Sequence, residues 1–365
     1  MFGLKDRGSI LRAGFIPGNK IQGRPVQSPA GISRHAAPAP SQIRVIAPAR
    51  LHFGFVDLHG GLGRRFGSLG LAIERPMVRL RAFHGSGMEA VGPGAERVAR
   101  ALNALQQRYG IGPGVRVEIE EAIPPHAGLG SGTQITLAAA AAVCALSALS
   151  VPVTELARVL QRGARSGIGS GVFELGGFVV DGGRGDQDRA PPVISRLPFP
   201  EEWRVVLAFD PELTGLHGER EAAAFRDLPQ FPEREAERLA RLVLMQLLPA
   251  LAEARLDQFG VALTELQRTI GDHFAPAQGG RYASRRVEST LQQLAGYGAA
   301  ACGQSSWGPT GFAIFGGQAA AEAAIERLCG SPQNAPPASV HVVRGCNRGA
   351  QMQPLYATAG QAVAA

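Results

Sequence analysis

Between residues 115 and 149 a strand, a glycine turn and a helix follow one another without a break, and this order constrains the chain more than any other feature. Val115–Ile119 alternates apolar and polar residues as a half-buried strand does. It leads into Pro124-Pro125-His126-Ala127-Gly128-Leu129-Gly130-Ser131-Gly132-Thr133 and then into Gln134–Leu149, made largely of Ala and Leu. Glycines between a strand and a helix let backbone N–H groups converge on an anion at the positive end of the helix dipole. Gly128, Gly130 and Gly132 alternate with Leu129, Ser131 and Thr133, so two hydroxyls are placed to donate as well. A tight turn with no ligand produces the same bare glycine pattern, so the surrounding chain has to decide between the two.

That chain reads as α+β. Ile43–Ile46, Leu69–Ile73 and Val78–Phe83 are strand-like, and Glu96–Tyr109 carries Val98, Leu102 and Leu105 at helical spacing. Val153–Ala164 predicts a second helix, followed by the glycine-rich Arg165–Gly177 and a strand at Phe178–Asp181. Residues 182–200 read as a polar, Pro-rich connection. The second half adds a strand at Trp203–Phe209, amphipathic helices over Arg234–Glu253 and Gln258–Ile270, further helices over Ser284–Leu294 and Ala319–Leu328, and a strand at Ser339–Arg344. The expected organisation is a leader over 1–42, an N-terminal lobe over 43–200 holding the glycine loop, a C-terminal lobe over 201–345, and a loose tail over 346–365.

The formal charge of +7 invites a nucleic-acid reading, which its distribution removes. The first 50 residues carry eight Lys or Arg and one acid, and the remainder carries 29 of each sign. A neutral body argues against general polyanion binding and against a nucleic-acid partner. The breaker-rich, acid-poor leader is either a transit-type segment or an unstructured extension. Cys144, Cys302, Cys329 and Cys346 are far apart and form no CxxC pair, as expected of reduced thiols in a cytoplasm. No apolar run reaches the length of a membrane span.

Pro124-x-His126-x-Gly128-Leu129-Gly130-Ser131-Gly132-Thr133 resembles the phosphate loop of the GHMP kinases. Ala47-Pro48-Ala49-Arg50-Leu51-His52 is similar to that superfamily's N-terminal block, and Gly303–Gly311 stands where its C-terminal glycine motif does. The resemblance covers about residues 43–345. It implies the two-lobed fold: an N-terminal lobe like ribosomal protein S5 domain 2 and a ferredoxin-like C-terminal lobe. One departure matters. Ser166-Gly167-Ile168-Gly169 resembles a kinase segment with a catalytic Asp in the fourth position, and glycine there has nothing to accept the attacking hydroxyl's proton.

Four strings resemble one non-kinase branch of the superfamily, the β-ribofuranosylaminobenzene 5′-phosphate synthases: Arg50–Leu58, Gly63–Ile73, the loop ending Gly132-Thr133-Gln134, and Gly303–Gly311. The resemblance implies a transferase, active as a homodimer in methanopterin biosynthesis. Its substrates would be phosphoribosyl pyrophosphate and 4-aminobenzoate or 4-hydroxybenzoate, with pyrophosphate and carbon dioxide released. Gly128, Gly130, Ser131, Gly132, Thr133, Ser305, Ser306 and Thr310 would then hold phosphate oxygens. Arg64 and Arg65 would grip the 5′-phosphate or the carboxylate, unless they form a solvated turn. Gln134 and Trp307 would contact substrate, Trp307 by stacking or else as core. His52, Asp57 and Glu174 are the acid/base candidates. Mg²⁺ is expected with the pyrophosphate, its protein ligands open. Two other readings stand beside this one: an ATP-dependent kinase with Glu174 or Asp181 as a displaced base, and a non-catalytic ligand sensor.

Overall fold

The computed structural model describes residues 33–34, 40–112, 114–186, 190–216, 218–330 and 338–356. The first half runs β1 (Ser33–Arg34), β2 (Gln42–Asp57), β3 (Phe66–His84), β4 (Met88–Val91), α1 (Ala95–Tyr109), β5 (Val115–Glu121), α2 (Ser131–Leu146), β6 (Leu149–Ser150), α3 (Val153–Val159), α4 (Ile168–Leu175), β7 (Phe178–Asp181) and β8 (Val193–Leu197). The second half runs β9 (Arg204–Phe209), α5 (Gly218–Asp227), α6 (Glu233–Leu242), α7 (Leu248–Ala252), α8 (Leu256–Gln278), α9 (Arg285–Gly296), β10 (Ala301–Gln304), β11 (Gly311–Phe315), α10 (Gln318–Cys329), β12 (Ser339–Val343) and β13 (Gln351–Leu355). A π-helical turn over Val243–Leu247 joins α6 to α7.

In the N-terminal lobe β13, β2, β3, β5 and β4 pair in that order, with β7 on β3 and β8 on β7. Ile43, Val45, Ala47, Ala49, Leu51 and Phe53 alternate along β2 and are all buried, the period-2 pattern of a strand with one face on a core. The two short strands expected at Leu69–Ile73 and Val78–Phe83 are parts of the single long β3. Helix α2 lies under this sheet and is buried on almost every side. Its Ala138–Ala142 run is the physical reason: only small side chains let a helix approach the sheet, α1 and α4 together, and a larger residue there would overpack by about 1–3 kcal/mol.

The C-terminal lobe is a β–α–β–β–α–β unit whose four strands are antiparallel in the order β10-β11-β9-β12, a ferredoxin-like arrangement. One face packs Val206, Ala208, Ala313 and Phe315 on Val287, Leu291 and Leu328 of α9 and α10. The other sends Val205, Leu207, Phe312 and Ile314 into the main core beside Phe259 and Leu263 of α8. The lobes therefore share one core.

The glycine-rich Arg165–Gly177 holds α4 at its centre, and two expectations are corrected below it in the chain. A Cβ on Gly171 would stand 2.8 Å from Val193 and 2.9 Å from Val179, so glycine there seats the helix on the sheet and is not a source of flexibility. The connection at 182–200 contains β8. The tail expected at 346–365 contains β13, which pairs with β2 from Gln42 to Ile46, so the chain's end completes the first lobe's sheet. Of the leader, Ser33–Arg34 pairs with β6 and Gln42 opens β2; the rest of 1–39, like 357–365, lies outside the described residues.

Candidate active site

A cleft of about 1390 Å³ opens at the N-terminus of α2, between the lobes. One wall is a stripe of α1, Arg97, Arg100, Ala101, Ala104 and Arg108, at the spacing of a single helix face. The floor is the loop Gly128–Thr133, and Arg50, Arg162 and Arg184 approach it from β2 and from the segments after α3 and β7. Leu216, Glu221 and Ser306–Gly308 close it from the second lobe.

The loop is built by close approach. Gly128 and Gly130 have φ of 77° and 78°, and a Cβ on them would lie 2.4 Å from the Ser305 carbonyl oxygen and 2.9 Å from Arg50 Cγ. The Arg50 guanidinium donates to the Gly128 carbonyl (2.5 Å) and its amide to the Leu129 carbonyl (3.1 Å). Ser305 Oγ donates to the same Gly128 carbonyl (2.7 Å) and accepts from the His52 amide (3.0 Å), while the Ser306 amide donates to the His52 carbonyl (3.0 Å). The first strand, the loop and the C-terminal glycine motif thus form one hydrogen-bonded unit. At the head of α2 the Thr133 and Gln134 amides turn back to the Gly130 carbonyl, and those of Ser131 and Gly132 have no protein acceptor among the described residues. These are orphan donors of a helix start, free for an anion.

Charge matches this backbone. Nη1 of Arg97 and of Arg162 stand 3.4 and 3.7 Å from the point where a Gly132 Cβ would be. Burial, then the neighbouring Arg97 and Arg100, push the Arg162 guanidinium below its usual range. Burial brings Arg50 down to about 10, which leaves it a cation at neutral pH. Arg108 and Arg158 share Glu155, but Arg97, Arg100 and Arg162 make no salt bridge among the described residues. Among those residues the cleft is lined by seven arginines and a single acid, Glu221, which pairs with Arg165 at 2.9 Å.

Gly128, Gly130, Ser131, Gly132, Thr133, Ser306 and Trp307 line the cleft as expected residues of a site. Gln134, Ser305 and Thr310 stand behind it, fully buried. Gln134 Nε2 donates to the Gly169 carbonyl (2.8 Å), and Thr310 Oγ1 has no partner among the described residues. Trp307 is 3% exposed; its ring stacks on Phe274 at 4.4 Å with Phe225 against it edge-on, so core packing takes most of its surface.

The remaining candidates do not line this cleft. Arg64 donates to the Gly182 (2.7 Å) and Gly183 (2.5 Å) carbonyls and Arg65 to the Leu58 carbonyl (2.9 Å), bracing the turn before β3. Asp57 Oδ1 accepts the His59 and Gly60 amides, both at 2.8 Å, a side-chain-capped turn. Glu174 is on the exposed side of α4. His52 is buried: Nδ1 accepts the Gly54 amide (3.2 Å), so Nε2–H donates to Ser166 Oγ (3.2 Å), which donates to Asp181 Oδ2 (3.4 Å). Burial and then Arg50 push its pKa down to about 3, so the ring is a neutral structural link.

The displaced-base kinase reading loses both its acids here. Asp181 is 1% exposed and accepts the Ser68, Gly167 and Gly183 amides, and burial raises its pKa despite those bonds. At Gly169 a Cβ would meet Thr133 Cγ2 at 2.8 Å, so the loop itself fills the space an acid would need. No three His, Cys, Asp or Glu converge as a metal site among the described residues. Nor is any described helix long and apolar enough to cross a membrane. Sequence reasoning missed Arg97, Arg100, Arg162, Arg184 and Glu221; a polar helix stripe is the ordinary mark of a solvent face, and only the fold turns this one inward.

The family model for the GHMP kinases N terminal domain matches residues 96–180, and that for GHMP kinases C terminal matches 247–333. The chain is 35% identical over 286 residues to a beta-ribofuranosylphenol 5'-phosphate synthase of Archaeoglobus fulgidus, covering 74% of this chain and 87% of the relative. It is 30% identical to the same-named protein of Methanothermobacter thermautotrophicus, covering 85% and 98%. Homoserine kinase from Cytophaga hutchinsonii aligns with a TM-score of 0.63 at 18% identity, over 88% of this chain and 100% of that one. Mevalonate diphosphate decarboxylase from Staphylococcus aureus aligns at 0.61 and 14%, over 86% and 98%; both structures speak to fold alone.

Proposed function

The chain belongs to the β-ribofuranosylphenol 5′-phosphate synthase family, on the GHMP kinase fold, and from that premise we propose that it is a decarboxylating pentosyltransferase. It joins C1′ of phosphoribosyl pyrophosphate to the carboxylate-bearing carbon of a 4-substituted benzoate and releases pyrophosphate and carbon dioxide. The relatives are named for a ribofuranosylphenol, which favours 4-hydroxybenzoate over 4-aminobenzoate as acceptor.

The observation that carries this reading is the arginine lining around the head of α2. A substrate with a pyrophosphate and a second phosphate matches several unpaired guanidinium groups, whose fork geometry binds phosphate oxygens in pairs. Arg97, Arg162, Arg50 and the Ser131 and Gly132 amides would hold the departing pyrophosphate and stabilise the charge it gains. No phosphoryl group moves, so a glycine at 169 costs the reaction nothing. Mg²⁺ would enter on the substrate's own oxygens, because the cleft's charged lining offers it only Glu221, and no step is assigned to it. A homodimer and a place in methanopterin synthesis complete the proposal.

The test is release of labelled carbon dioxide from carboxyl-labelled 4-hydroxybenzoate and, separately, 4-aminobenzoate. Release that requires phosphoribosyl pyrophosphate is expected. ADP formation from ATP and a small alcohol, without release, would overturn the reading.

A further inference from the structure

We infer that Glu221 is the fixed negative charge facing the ribosyl cation that forms as pyrophosphate leaves; the inference rests on the ribosyl-transfer reading above. Among the described residues every other charged side chain lining the cleft is an arginine. Arginines favour the leaving group, but the same field opposes positive charge at the carbon it leaves. In this step the C1′–O bond breaks with its electron pair going to pyrophosphate, and positive charge spreads over C1′ and the ring oxygen. The benzoate ring carbon then supplies the pair for the new C–C bond. Loss of carbon dioxide breaks the carbon–carboxylate bond and returns that pair to the ring. A cation that appears briefly inside an arginine cleft calls for a carboxylate beside it.

Glu221 is placed for that role. It stands on α5 in the second lobe and lines the cleft together with Leu216, Trp307 and Gly308. Its Oε2 is held by Arg165 Nη2 at 2.9 Å, and the Arg165 guanidinium lies 4.8 Å over the Phe225 ring, which fixes the pair. Oε1 has no hydrogen-bond partner among the described residues. The carboxylate is also within electrostatic reach of Arg50, the cation seated against Gly130. It therefore shares one cleft with the loop that would receive pyrophosphate. Of the two acids expected from sequence, Glu174 is exposed on α4 and Asp57 caps a turn.

The test separates charge from turnover. The 5-phosphate of an imino-ribitol, cationic at its ring nitrogen, mimics the ribosyl cation; its binding by calorimetry in the presence of inorganic pyrophosphate is compared in wild type, E221Q and E221D. E221Q is expected to bind it about a hundredfold more weakly and to lose about as much in kcat, with pyrophosphate affinity alone changed less than about threefold and E221D recovering part of both. Equal imino-ribitol affinity in wild type and E221Q, with product still formed by wild type, overturns the assignment and leaves the reaction standing. No product from wild type removes the reaction and this assignment together.

Discussion

Replacing Arg162 by Gln is expected to stabilise the free protein while weakening its hold on pyrophosphate. Arg97 and Arg162 bring their Nη1 atoms to 3.4 and 3.7 Å from one point beside Gly132, so the two are at most about 7 Å apart. Unit charges at that separation repel by roughly 2–3 kcal/mol at an effective dielectric of 20, and by about 1 kcal/mol once physiological salt screens them. Over roughly 300 ordered residues, 1 kcal/mol moves Tm by about 1–2 °C. Bound pyrophosphate reverses the sign, because each guanidinium–phosphate hydrogen bond contributes about 2 kcal/mol, roughly thirtyfold in Kd. Calorimetric titration with inorganic pyrophosphate at two salt concentrations reads the second quantity, and a thermal melt without ligand reads the first. R162Q should melt higher than wild type when free and gain less on adding pyrophosphate. An unchanged Kd together with a lower Tm would refute the idea that the fold holds these like charges together for an anion.

G169D should show no ATP-dependent phosphoryl transfer and should lose about 1–3 kcal/mol of stability by denaturant titration, since its Cβ must displace Thr133 Cγ2 from 2.8 Å. S305A should lose about 1–2 kcal/mol in the same titration and raise KM for phosphoribosyl pyrophosphate, because Ser305 Oγ bridges the His52 amide and the Gly128 carbonyl. Acid should destabilise the protein through His52. The unfolded ring takes a proton below about pH 6.5, whereas the folded ring stays neutral until about 3. The unfolded state therefore binds more protons across that window, and stability falls by about 1.4 kcal/mol per unit as pH drops through it, then levels off. H52Q should flatten this part of the pH–stability curve, and an unchanged slope in that variant would reject the assignment.

The glycine loop was legible because its signal is local. Alternating glycines between a strand and an alanine-rich helix have few backbone solutions, and the Gly128 and Gly130 conformations are those such a turn requires. Parts of β2 and β3, with β5 and β7, were legible from their apolar patterns, as were α6, α8, α9 and α10 of the second lobe, whereas β4, β8 and α5 were not. Helix α4 was not legible in residues 165–177 because glycine is ambiguous in sequence: it marks flexibility or close packing, and at Gly169 and Gly171 it is packing against Thr133, Val179 and Val193. The C-terminal strand was missed because Gln351–Leu355 has no periodic apolar face, and its pairing with β2 lies more than 300 residues away in the chain.

The division is sharper at the site. Sequence by itself determined where the glycine loop lies, between a strand and a helix, and that glycine stands at 169 where the kinase segment has its acid. Tertiary structure alone decided which side chains share that site. His52, Asp57, Glu174, Arg64 and Arg65 are polar residues in suggestive strings, yet the fold uses four of them to brace turns and strands and leaves Glu174 outside. Arg97, Arg100, Arg162 and Glu221 come from α1, the segment after α3, and α5, and they meet only because α2 and the second lobe stand between and across from them. A charge's role depends on what it faces, and that is set by long-range packing, which no local pattern encodes.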